Sequence, residues 1–178
     1  MSILLIRAGG PIGEALARRL RAEGDEVRVV APAESPADAW RRLGVKVAPG
    51  RDDDADLIER AAQGVRTAVV IDGETGPARD VIEEVMAGIA AAGVERVIVC
   101  GRRLDEMVVD AVRASGLDYV VLTVGRGLLA RKRVSSDDVA EAIDAADDLA
   151  GSPRLELDLT RKESWAALGL ISTPETGR

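Results

Sequence analysis

The run Ile3-Leu4-Leu5-Ile6-Arg7-Ala8-Gly9-Gly10-Pro11-Ile12-Gly13 decides how the rest of the chain is read. Four successive aliphatic residues suit a strand buried on both faces of a parallel sheet. They break into a glycine-rich turn, and residues 14–21 then carry an amphipathic pattern. Ile12, Leu16 and Leu20 recur every fourth residue, giving a helix an apolar stripe that Gly24 closes. A strand, a glycine turn and a helix in that order begin a nucleotide-binding unit. Glycines let the backbone approach a phosphate, and unpaired N–H groups at the helix start offer donors and partial positive charge. Arg7, Gly9, Gly10, Ile12 and Gly13 are therefore candidate cofactor-binding residues, with Arg51 after the third strand.

Composition narrows the field. Of 178 residues 47% are hydrophobic and 31% charged, as in a folded domain with a real core rather than a disordered chain. A formal net charge of −7 argues against general affinity for nucleic acid or anionic membrane. No apolar run is long enough to span a bilayer, and the start of the chain lacks a signal-peptide layout, so the expected compartment is the cytoplasm. A single cysteine, Cys100, excludes an internal disulfide. With no histidine in the chain, no metal site is expected and the commonest general base is missing.

Further along, residues 26–31 read as a second strand and 45–47 as a brief third. Strand four covers 67–72, strand five 96–100 and strand six 119–123. Helices fall between them. The clearest periodicity is Val81, Ile82, Val85, Met86 and Ile89, and a second stripe follows the N-cap pattern Ser135-Ser136-Asp137-Asp138. Residues 155–159 alternate with period two, as a half-exposed edge strand does. Strand and helix alternating with short connections predict a single α/β domain over residues 1–171, a Rossmann-like doubly wound parallel sheet with helices on both faces. Residues 172–178 read as a polar tail.

The glycine turn, together with Gly44-Val45-Lys46-Val47, the stretch Ala92-Gly93-Val94-Glu95-Arg96-Val97-Ile98-Val99, Ala114-Ser115-Gly116-Leu117-Asp118-Tyr119 and Ser135-Ser136-Asp137-Asp138-Val139-Ala140, resembles the atypical and extended short-chain dehydrogenase/reductase relatives, the NmrA-like and NAD-dependent epimerase group. There strand one runs into G-A-T-G-x-x-G. Arg7 stands at the place of the first glycine, Gly9 replaces the threonine, and Gly10 and Gly13 match. The resemblance implies a Rossmann fold and NAD or NADP as cofactor. Arg7 is expected to keep an extended strand-end backbone, its side chain either filling part of the pyrophosphate site or lending it a cation. The family's usual Ser and Tyr-x-x-x-Lys set is missing: the only tyrosine, Tyr119, lies within strand six and is followed four places on by Thr123. The end of strand two, Ala31-Pro32, carries no Arg for a 2′-phosphate, and Gly50-Arg51 stands where Gly-Asp is usual.

What replaces that set is cationic. Arg7, Arg51, Arg102, Arg103 and Arg126 all follow strand ends, and arginine suits carboxylates and phosphates through paired donors. They form an anion-binding mouth, or else pair with Asp52, Asp53, Asp54, Asp72, Asp105 and Glu106 as ordinary loop residues. Asp72, Arg102 and Arg126 are the candidate catalytic groups; Asp72 either has its pKa raised at the end of a buried strand or caps the next turn. Cys100, Trp40 and Trp165 read as packing residues.

Three functions remain open. One is an NAD(P)-binding protein of the NmrA-like class acting as a small oxidoreductase or a close derivative of one. Another is a non-redox isomerase, cyclase or dehydratase acting on an anionic small molecule through strand-end arginines. The last is a non-catalytic nucleotide-sensing regulator. The ligand is a dinucleotide or another small molecule, and the 81–89 stripe is a candidate face for a homodimer as well as for internal packing.

Overall fold

The computed structural model describes residues 2–32, 37–72, 79–102, 104–125 and 134–171. Seven strands form one sheet: β1 (Ser2–Ile6), β2 (Glu26–Ala31), β3 (Lys46–Pro49), β4 (Thr67–Asp72), β5 (Arg96–Gly101), β6 (Asp118–Thr123) and β7 (Arg154–Asp158). Their order is β3-β2-β1-β4-β5-β6-β7, every pair parallel. The chain therefore reverses its direction of travel between β1 and β4, the switch point where such sheets place their ligands.

Helices α1 (Pro11–Ala22), α2 (Ala37–Arg42), α3 (Ala55–Ala62), α4 (Arg79–Ala91), α5 (Glu106–Ala114), α6 (Ser136–Asp147) and α7 (Lys162–Ala167) complete the fold. The strand alternation divides the core in two. Ile3 and Leu5 face a cluster with Leu16 and Leu20 of α1, Trp40 of α2 and Ile143 of α6. Leu4 and Ile6 face the other side, with Ile58 of α3, Ile82, Val85 and Ile89 of α4, and Val108 and Val112 of α5. The 81–89 stripe thus packs largely onto this protein's own sheet: Ile82, Val85 and Ile89 are fully buried.

One connection departs from the pattern. The steps β4 to β5 and β5 to β6 carry α4 and α5 on one face, whereas β6 to β7 moves in the same direction with α6 on the opposite face, beside α1. That crossover therefore has the opposite hand to its neighbours. An ion pair between Arg19 and Asp144, 2.6 Å apart, joins α1 to α6.

Boundaries follow local chemistry. Asp105 caps the start of helix α5, its side chain accepting from the Met107 N–H at 3.1 Å. Ser135 and Asp138 form a reciprocal capping box at the start of α6. At the amino edge of the sheet, the buried Arg96 guanidinium donates to the carbonyls of Ala146, Asp147, Leu149 and Gly151, closing the far end of α6. The edge strand β7 alternates as expected, with Leu155 and Leu157 packed inward and Glu156 meeting Arg113 outside. Among the described residues no helix is long and apolar enough to cross a membrane.

Candidate functional site

The glycine turn sits at the carboxyl end of β1, beside the switch point. Its geometry follows from two residues. Gly10 has φ 126° and precedes α1 as its N-cap without a side chain to offer, and Pro11 at the first helical position has no N–H. The Glu14 N–H bonds to the Gly10 carbonyl at 3.1 Å, so the N–H groups of Ile12 and Gly13 have no partner among the described residues. A Cβ at Gly13 would stand 1.9 Å from the Ala8 carbonyl oxygen; only glycine lets α1 lie this close to the turn. A Cβ at Gly9 or Gly10 would meet no protein atom within 4 Å, so the outer surface of the turn is open. Two free donors at the start of a helix, under an open surface, fit a pyrophosphate.

Arg7 overturns one expectation. Its backbone is not extended but left-handed, with φ 58°, and it is the sole non-glycine residue in that region among those described. The chain must turn immediately after β1, which glycine does without strain and arginine does at a cost of roughly 1–3 kcal/mol. Its side chain does not stand free over the turn either. Nη1 donates to Asp52 Oδ2 at 3.0 Å, while Nε is buried without a hydrogen-bond partner among the described residues.

The other predicted arginines divide. Arg51 is exposed and holds Asp53 through two bonds, Nε to Oδ1 at 2.8 Å and Nη2 to Oδ2 at 2.5 Å. That contact favours charge on both: it raises the Arg51 pKa and holds the Asp53 carboxyl below its ordinary value. Asp54 is also engaged, capping α3 through the Leu57 N–H at 2.9 Å. Arg102 directly follows β5 and is exposed. Asp72 ends β4 opposite Gly101 in the β4–β5 register, so the backbones of Asp72 and Arg102 lie at neighbouring strand ends. The Asp72 side chain, Arg103 and Arg126 lie outside the described residues.

Tyr119 is the second residue of β6, 9% exposed and packed in the core near the amino end of the strand. Cys100 is wholly buried. Trp165 packs at α7 and donates its indole N–H to the Leu159 carbonyl at 2.8 Å. Trp40 does more than pack. Besides its place in the core it lines a cleft of about 300 Å³ with Gly9, Gly10, Glu14, Ala39, Arg42 and Leu43, directly against the glycine turn. Sequence reasoning missed Trp40 and Arg42 as cleft residues; their only signal was that the helix after β2 must run beside the turn. It also gave Asp52 no site role of its own, since pairing across 45 positions leaves no local trace.

Three comparisons bear on this arrangement. The family model described as NAD(P)H-binding matches residues 8–106, more than half of the chain. No curated protein matches the sequence at a significant level. Among solved structures the chain is similar to ChuY, an anaerobillin reductase from Escherichia coli O157:H7, at 20% identity over 89% of this chain and 96% of that one, with a TM-score of 0.73. It is similar also to a putative NAD-dependent epimerase/dehydratase from Bacillus halodurans, at 15% identity over 88% and 92% with a TM-score of 0.72. A third is the Citrobacter sp. triphenylmethane reductase complexed with NADP(H), at 18% identity over 88% and 69% with a TM-score of 0.70. At these identities the likeness is one of fold.

Proposed function

The chain belongs to the NAD(P)H-binding family, and from that premise we propose that it binds a nicotinamide dinucleotide across the carboxyl edge of its sheet and uses it to reduce a small conjugated acceptor. The observation that carries this reading is the turn between β1 and α1. There the Ile12 and Gly13 N–H groups would hold the pyrophosphate, and the Gly10 backbone supplies the bend that aims them. Trp40 and Leu43 would wall the adenosine side. The nicotinamide would lie toward the ends of β4 and β5, where Asp72 and Arg102 stand, with Arg126 following β6 in sequence.

A bound reduced nicotinamide would supply a hydride. The chain's own residues are poorly equipped to supply a proton in the same step, because Tyr119 is packed in the core and no Lys follows it at the fourth place. That favours an acceptor which spreads the incoming negative charge over a conjugated system, a quinone or an enone, with Arg102 stabilising the oxygen on which charge collects. Two of the solved relatives named above are reductases, which agrees with this direction.

A non-redox enzyme for anionic substrates has less support. Arg7 and Arg51, two of the arginines it requires, already hold carboxylates of the loop after β3. The test is oxidation of NADH and NADPH by the purified protein with quinones and enones, set beside saturated aldehydes and ketones. Turnover restricted to conjugated acceptors and reduced in Arg102→Ala is expected. Equal turnover of saturated carbonyls, or none with any acceptor, would contradict the proposal.

A further inference from the structure

Resting on the dinucleotide reading, we propose that the Arg7–Asp52 ion pair reads the adenosine ribose and selects the cofactor without a 2′-phosphate, NAD(H) over NADP(H). The argument starts from where the pair lies. Arg7 directly follows β1, and Asp52 follows β3 after two intervening residues. Because the order runs β3-β2-β1, a contact between those two residues crosses the carboxyl end of β2. A backbone bond from the Gly50 N–H to the Ala31 carbonyl, 3.0 Å, holds the loop bearing Asp52 against that end.

In doubly wound sheets the ribose is read about 20 residues beyond the glycine turn, by an acid for a 2′-hydroxyl or by an arginine for a 2′-phosphate. Here the described residues at that place are Ala31 and Pro32, neither with a side-chain donor or acceptor. Among the described residues, a group able to read the ribose comes instead from beside β2. Asp52 is the carboxylate carried there. Its Oδ2 stays on Arg7, and Oδ1 has no partner among the described residues, leaving it to accept from a ribose hydroxyl.

A 2′-phosphate would meet the wrong charges. It brings roughly −1.5 to −2 charge, and the nearby cations are already engaged, Arg7 by Asp52 and Arg51 by Asp53. Asp54 adds a third carboxylate at the start of α3. A phosphate approaching Arg7 would come close to the carboxylate of Asp52, with Asp53 and Asp54 following it in the same loop. Arg42 lines the cleft against the glycine turn together with Glu14. A site that satisfies a hydroxyl while opposing an added anion discriminates twice over. Arg7 is the positioning residue in this scheme: it holds Asp52 across β2.

Calorimetric titration of the full chain with NADH and with NADPH tests it, on the wild type and on Asp52→Asn. The wild type should bind NADH at least about tenfold more tightly, and Asp52→Asn should shrink that ratio by strengthening NADPH binding through the released Arg7. NADPH binding as tight as NADH in the wild type would overturn the proposal, as would a ratio unchanged by Asp52→Asn. Failure of the wild type to bind either nucleotide would overturn the dinucleotide reading itself, and this inference with it.

Discussion

Arg7 occupies a backbone conformation that favours glycine, φ 58°, with a guanidinium nitrogen buried and unbonded among the described residues. Such strain is kept where surrounding structure imposes it, and it gathers at functional sites. Arg7→Gly removes the strain and loses an ion pair that is partly exposed, worth about 0–1 kcal/mol. Net stabilisation of up to about 1 kcal/mol is the expected result, read as a higher urea midpoint with an unchanged slope. Gly13→Ala goes the other way. Its new methyl would fall 1.9 Å from the Ala8 carbonyl oxygen, and backbone cannot yield as a flexible side chain would. A loss of at least about 1–3 kcal/mol in the same measurement is expected. The two residues also mark how far a sequence speaks at this scale. The need for glycine at 10 and 13 was legible because the turn recurs with fixed spacing. The left-handed Arg7 was not, since a side chain's identity does not report the φ its neighbours force on it.

Among the elements, strands were legible nearly to the residue: β2 and β4 span the predicted 26–31 and 67–72. Their aliphatic runs are bounded by turns that admit few alternatives. The hand of the β6–α6–β7 crossover was not legible, because the apolar stripe of α6 fits either face of the sheet equally well. What fixes α6 is contact distant in sequence, above all Arg96. Arg96→Leu would take the buried donor from the carbonyls of Ala146, Leu149 and Gly151, and leave Asp147 only its bond from Arg66. A loss of about 2–4 kcal/mol by denaturant unfolding is expected. Arg113 makes ion pairs with Glu106, Asp110 and Glu156, which raise its pKa, but does so at the surface. Arg113→Ala should therefore shift the unfolding midpoint far less than Arg96→Leu, and the reverse ranking would contradict the burial argument. Ser135→Ala, which breaks the capping box of α6, should cost about 1 kcal/mol in the same assay.

The molecule as a whole contains no histidine, so no side chain with an ordinary pKa titrates between about pH 5.5 and 7. Stability should be level across that range. Below it the carboxylates matter. Glu26 is held below its usual pKa by Lys46 and Arg28, and Asp53 by Arg51. Lowered native pKa values stabilise the fold above the unfolded values, and that contribution is lost as pH falls through the native ones. Urea midpoints should therefore decline only below the ordinary carboxylate range, around pH 4.5. A step centred near pH 6 would instead reveal a carboxyl whose pKa the fold has raised.

The central claim concerns the whole carboxyl edge: that the turn after β1, its two free N–H groups and the cleft beside Trp40 form a dinucleotide site. The most direct test is titration of the wild-type protein with NADH, following binding heat together with energy transfer from tryptophan to the reduced nicotinamide, and repeating it with Trp40→Phe. The account predicts saturable single-site binding in the micromolar range, with most of the transfer signal lost in Trp40→Phe while the heat remains. Absence of saturable binding up to millimolar NADH and NADPH, or a transfer signal that depends on Trp165 instead, would contradict it.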